Sequence, residues 1–127
     1  MTFSLPRAAL GVFLALAAGA AAAQGTCIYP RPPENIPDGA TATREQMVAA
    51  FAAVKQFDTD IAAYNACLEL ELQSILANPE LADLDKERLR AMQAQKNNAA
   101  VDHAEQVAQN FNDQLRAFNA RPENKKN

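Results

Sequence analysis

The chain has 127 residues, a formal net charge of −3, two cysteines, one histidine and no tryptophan. That length holds one domain at most, and the mildly acidic balance excludes the basic patch or stripe of a nucleic-acid binder. A zinc site needs about four ligands, which one histidine and two cysteines cannot supply, and four glycines leave no Gly-rich phosphate loop, so no metal and no cofactor is expected.

The N-terminus reads MTFSLPRAALGVFLALAAGAAAAQG. Arg7 precedes an apolar run from Ala8 to Ala23 that closes on three alanines, which is the layout of a secretory signal peptide with Gln24 as the new first residue. The run is about 16 residues, below the roughly 20 that cross a bilayer, so cleavage is expected over anchoring. Cys27 follows Gln24, Gly25 and Thr26, and this does not fit the sequence before a lipid-modified cysteine. The expected organisation is a signal peptide over 1–23, an extended strap over 24–42, a helical hairpin over 43–120 and a disordered polar tail over 121–127. Losing Arg7 takes the net charge to about −4. The expected location is outside the cytoplasm, in the periplasm, with no membrane span once the signal is removed.

Pro30, Pro32, Pro33 and Pro37 keep the strap extended, close to polyproline II, and Asp38-Gly39 signals a turn. Thr43 with Gln46 three positions later forms a capping box before a helix. Met47, Val54, Ile61, Leu68 and Ile75 recur every seven residues, and Ala50, Phe57 and Tyr64 follow three later, with Glu71 completing that series. This heptad seam predicts a helix over 44–77 that packs as a coiled coil or hairpin. Asn78-Pro79 breaks it, and a second helix is expected to run to Ala120, after an irregular turn around 83–85. Its apolar residues Leu89, Ala100 and Phe111 lie eleven apart, which favours a nearly straight pair over a regular supercoil. The fold class is therefore all-α: a long antiparallel two-helix hairpin with an extended Pro-rich N-terminal strap. Folding the second helix back pairs residues whose numbers add to about 160. Phe57, Ile61 and Tyr64 then face Ala104, Ala100, Ala99 and Lys96, large against small. Lys96, Asn97 and Asn98 mark a wet stretch of that interface.

Cys67 flanks the seam. Two cysteines in a small exported chain pair most often as a disulfide. The 16 residues from Cys27 to Thr43 reach about 50 Å extended, and Thr43 to Cys67 spans about 36 Å of helix, so the strap can run back and end beside Cys67. A Cys27–Cys67 staple is expected, with Ile28 and Tyr29 laid over Leu70 and Leu72; an intermolecular bond is the alternative. A spacing of 40 is unlike the Cys-x-x-Cys of a redox pair.

No catalytic residue is expected. Asp58 and Asp60 are two apart and do not share a helix face. Glu71 is expected to meet Arg88 and Arg90 at the edge of the seam. His103 falls near Phe57 as a partly buried side chain or pH-sensitive contact, with no nucleophile placed to complete a triad. Leu70, Leu72, Leu76, Leu81 and Leu84 widen the apolar surface near the hairpin tip and form the candidate partner surface.

The run IPDGATATREQMVAAFAAVKQF followed by YNACL resembles a family of small exported bacterial proteins of unknown function. The shared pattern is a Pro-rich start, the Ile36–Gly39 turn, a helix capped by Thr43 and bearing Met47, and Tyr64 to Leu68. The resemblance implies export and no activity. The expected function is contact with a protein partner or with itself, as a non-enzymatic adaptor, binding or inhibitor-like module of the cell envelope. The alternative is a periplasmic chaperone or stress-related protein. No small-molecule substrate is evident.

Overall fold

A computed structural model describes residues 26–124. The expected signal peptide, the first two strap residues and the last three residues of the tail lie outside them. Two long helices, α1 (Arg44–Leu76) and α2 (Asp83–Ala120), pack against each other, and a single 3-10 turn, Pro122–Asn124, follows. The described residues contain no strand. At 1.5 Å per residue the helices are about 50 and 57 Å long.

The capping box sets the start of α1: the Gln46 amide donates to Thr43 Oγ1 at 3.2 Å, and the Thr43 amide donates to Gln46 Oε1 at 2.8 Å. The helix stops one residue earlier than expected, with Ala77 as its C-cap. The connection is longer than Asn78-Pro79 suggested. Asn78 Oδ1 accepts from the Glu80 amide at 3.0 Å, and α2 begins only at Asp83, after Leu81 and Ala82. Ala82 offers no side-chain cap; Asp83 and Asp85 instead put negative charge on the first turn, where the helix dipole favours it.

The pairing near a sum of 160 holds along the hairpin. Phe57 meets the ring of His103, Phe51 meets Phe111, and Glu69 accepts from Gln93. One core cluster gathers Ala42, Met47, Ala50, Val54 and Phe111; the other sets Phe57 and Ile61 against Ala100 and Ala104. Large residues on α1 fill the space that small ones leave on α2, as close packing requires. Ile75 departs from the heptad expectation and is 47% exposed. It shares a small open pocket with Leu68, Leu72, Leu89 and Met92, which cover it only in part.

The strap runs back along the helices from the Asp38-Gly39 turn. Gly39 is buried there, its amide donating to Gln114 Oε1 at 3.0 Å. A Cβ on Gly39 would sit 1.8 Å from the backbone oxygen of Gln114, so only a hydrogen fits between strap and α2. Gly39→Ala must lift the turn off the helix. It should lower stability by about 1–3 kcal/mol in urea denaturation, while Ala40→Gly, at an exposed position, changes it by less than about 1 kcal/mol.

The described part of the tail, residues 121–124, makes contacts: Arg121 Nη1 donates to the carbonyl of Ala42 at 2.6 Å and of Gly39 at 3.4 Å, and Arg121 also pairs with Glu123 at 2.7 Å. A guanidinium has enough donors to satisfy several carbonyls at once, so it clamps the end of α2 to the turn of the strap. Glu71 does not meet Arg88 or Arg90. Arg88 lies 3.7 Å from Asp85, and Glu71 accepts from the amide and the hydroxyl of Thr26. Glu71 is four residues from Cys67 and so shares its face, which is where the strap arrives. These Thr26 hydrogen bonds hold the Glu71 carboxyl below its usual range.

Candidate functional site

Cys27 and Cys67 form an intrachain disulfide, with a Cα–Cα distance of 5.7 Å. From that anchor Tyr29, itself 40% exposed, lies against the helices. Its ring meets Tyr64 edge-on, centroids 5.1 Å apart, and its hydroxyl shares a 2.9 Å hydrogen bond with His103 Nδ1. The Tyr29 and His103 planes differ by 5° with centroids 6.1 Å apart, which is the geometry of an in-plane hydrogen bond and not of face-to-face stacking. Phe57 meets the His103 ring edge-on at 5.3 Å. The histidine thus has a positioning part: it joins the strap to α2 above a core phenylalanine.

Ile28 and Tyr29 do not cover Leu70 as expected. Ile28 is 88% exposed and Leu70 68%. The anchors at Cys67 and Glu71 hold the strap along the α2 side of α1, whereas Leu70 lies on the flank away from it.

Burial, then the negative field of Tyr64, raises the pKa of Tyr29 above its ordinary value. A raised pKa means the folded state holds this proton more tightly than the unfolded chain. The contribution is fully present below the ordinary tyrosine range near 10 and is lost as the pH rises above it. Absorbance titration of the phenols should show one tyrosine ionising late, and Tyr29→Phe should remove that late phase.

The strap covers only one side of the helix pair. Adjacent helix residues point about 100° apart. Gln114 therefore faces the strap while Leu115 faces the other flank, where among the described residues only the turn Pro122–Asn124 arrives, with Asn124 lining the cleft. At the end near the strap turn, this bare side opens a cleft of about 360 Å³ lined by Val48, Phe51, Phe111, Leu115 and Phe118, with Arg44 at its edge. Val48 is 61% and Phe51 52% exposed, and Lys55 Nζ lies 5.9 Å from the centre of the Phe51 ring. Sequence reasoning missed this surface. The signal available was Val48 and Phe51 themselves, an apolar pair three apart and one step off the seam.

The five leucines of the expected partner surface differ in their surroundings. Leu72 and Leu76 line a shallow second cleft on the bare side, with Glu69, Arg90 and Asn97. Leu81 is half-buried in the connection, and Leu70 and Leu84 are about two-thirds exposed. A polar layer forms part of this second cleft. Gln93 is buried and donates to Glu69 Oε2 at 2.8 Å, while Asn65 Oδ1, Gln93 Oε1 and Asn97 Oδ1 are buried without a protein donor. Asn97 belongs to the stretch expected to weaken the apolar interface.

Among the described residues no helix is long and apolar enough to cross a membrane. Comparison with protein-family models, curated proteins and solved structures finds no match to this chain.

Proposed function

We propose that the protein is an exported, non-enzymatic component of the cell envelope that acts through helix contacts, as an adaptor, binding or inhibitor-like module. The carrying observation is the bare apolar side of a disulfide-stapled hairpin, with Val48 and Phe51 more than half exposed over the cleft. Soluble proteins keep few large apolar patches in water, and those they keep mark contact sites. The Ala8–Ala23 run, the intrachain disulfide and the resemblance to small exported bacterial proteins support export to the periplasm.

The test is cross-linking in intact cells followed by capture of the oxidised protein, with a Val48→Glu/Phe51→Glu double variant as control. A contact module yields adducts that the variant loses. Adducts that are absent, or identical in both, remove the support.

A second reading, a chaperone that holds unfolded clients, is favoured by a different set of side chains around the tip: Leu70, Ile75, Leu84 and Met92, each 47% exposed or more. Suppression of aggregation of a reduced model client at equimolar protein, lost in Leu70→Glu/Leu84→Glu, would support it; unchanged aggregation would sink it.

A further inference from the structure

We propose that the bare side of the hairpin is a homodimer interface that seats a second copy of the chain about a twofold axis running along the hairpin. This rests on the reading above that the protein acts through helix contacts, and it names the partner. On α1 the side is formed by Val48, Phe51, Lys55, Asp58, Ala62, Glu69 and Leu76, and on α2 by Arg90, Asn97, Val101, Glu105, Ala108 and Leu115. Each series steps by three and four residues or by their sum, so each keeps to one helix face.

A twofold axis along the hairpin lays α1 of one copy over α2 of the other, with residues at the same level in contact. Those levels match in chemistry except at Asp58, which meets the partner's Val101. Val48 meets the partner's Leu115 and Phe51 meets the partner's Ala108, apolar on apolar. Lys55 meets the partner's Glu105, and Glu69 meets the partner's Arg90, so opposite charges coincide twice per copy and four times in the dimer. Among the described residues none of these four charged side chains makes an ion pair within the chain. Ala62 near the centre of α1 permits the 8–10 Å approach of packed helices there.

The other face-to-face arrangement, with the axis across the hairpin, pairs Lys55 with Glu69 but sets Leu115 against the acidic first turn of α2 at Asp83 and Asp85. It leaves the apolar cleft against charge, and the matched levels favour the first arrangement. The area suffices. A side about 50 Å long and two helices, roughly 20 Å, wide offers on the order of 1,000 Å² per copy, against about 800 Å² per partner in stable complexes.

The test is sedimentation velocity of the full chain as the cell processes it, disulfide intact. A dimer is expected, and Val48→Glu/Phe51→Glu should weaken it at least about a hundredfold. Both positions are more than half exposed, so the fold should survive, as helical circular dichroism would verify. Lys55→Glu alone should weaken the dimer about tenfold, and Lys55→Glu/Glu105→Lys should restore it. A monomer at concentrations up to about 100 μM overturns the proposal. A dimer indifferent to Val48→Glu/Phe51→Glu, or lost only through Leu81→Glu/Leu84→Glu, overturns it as well. Rescue of Lys55→Glu by Glu69→Lys instead of Glu105→Lys overturns the axis. A monomer that still forms Val48- and Phe51-dependent adducts in cells refutes the second copy and leaves the contact function standing.

Discussion

Replacing Cys27 and Cys67 together by serine should lower the stability of the hairpin by about 4 kcal/mol, seen as a fall of roughly 20 °C in Tm. The bond closes a separation of 40 residues, and the chain-entropy estimate for a loop of that length gives the figure. The loss is large because the core is thin. Ten hydrophobic residues are buried among those described, and four of them are alanines. A domain of about 100 residues has only some 5–15 kcal/mol in all. The strap should go with the bond: Thr26 leaves Glu71, and Tyr29 leaves Tyr64 and His103. Near-ultraviolet circular dichroism of the tyrosines should therefore weaken in the reduced protein, while the far-ultraviolet helical signal remains at low temperature. If reduction moved the melting curve by only a few degrees, the two helices would be carrying the fold without the strap.

Phe57→Ala should cost about 3–5 kcal/mol in urea or thermal denaturation, the range for truncating a fully buried aromatic ring. Phe57 is 2% exposed and packs with Ile61, Ala100 and Ala104, while its ring also meets His103. The facing alanines cannot move in to fill the space, so most of the cavity persists. The His103–Tyr29 bond should loosen too, because the ring beneath the imidazole is gone. Phe51→Ala gives the contrast. That ring is half exposed on the bare side, so its loss should change stability by under about 1 kcal/mol and act on association instead. Equal losses at the two positions would mean that Phe51 is buried in solution, and the bare side would then be covered by the chain itself.

The division between these two phenylalanines shows what could be read from the sequence. Phe57 lies on the seven-residue seam, and its burial, its level with His103 and its small partners Ala100 and Ala104 all follow from helix periodicity and one chain reversal. The capping box at Thr43 and the Asp38-Gly39 turn are local, fixed by residues within a few positions of each other. The disulfide was legible because there was only one way to pair two cysteines within the chain and the strap was long enough to reach.

Phe51 shows the limit. Periodicity tells which face of a helix is apolar, and it does not tell what the neighbouring segment chooses to cover. The strap had two sides of the hairpin open to it. Cys67, Glu71, His103, Gln114 and the room left by Gly39 drew it to one of them, and the other remained bare. For the same reason Glu71 met Thr26 in place of Arg88 or Arg90, Leu70 stayed exposed, and Arg121 reached back to the carbonyls of Gly39 and Ala42. The sequence by itself determined two helices, their register and the staple, since these depend on near neighbours and repeat length. Only the tertiary structure decided which side of the hairpin is covered, because that choice sums weak contacts between residues 40 to 80 positions apart.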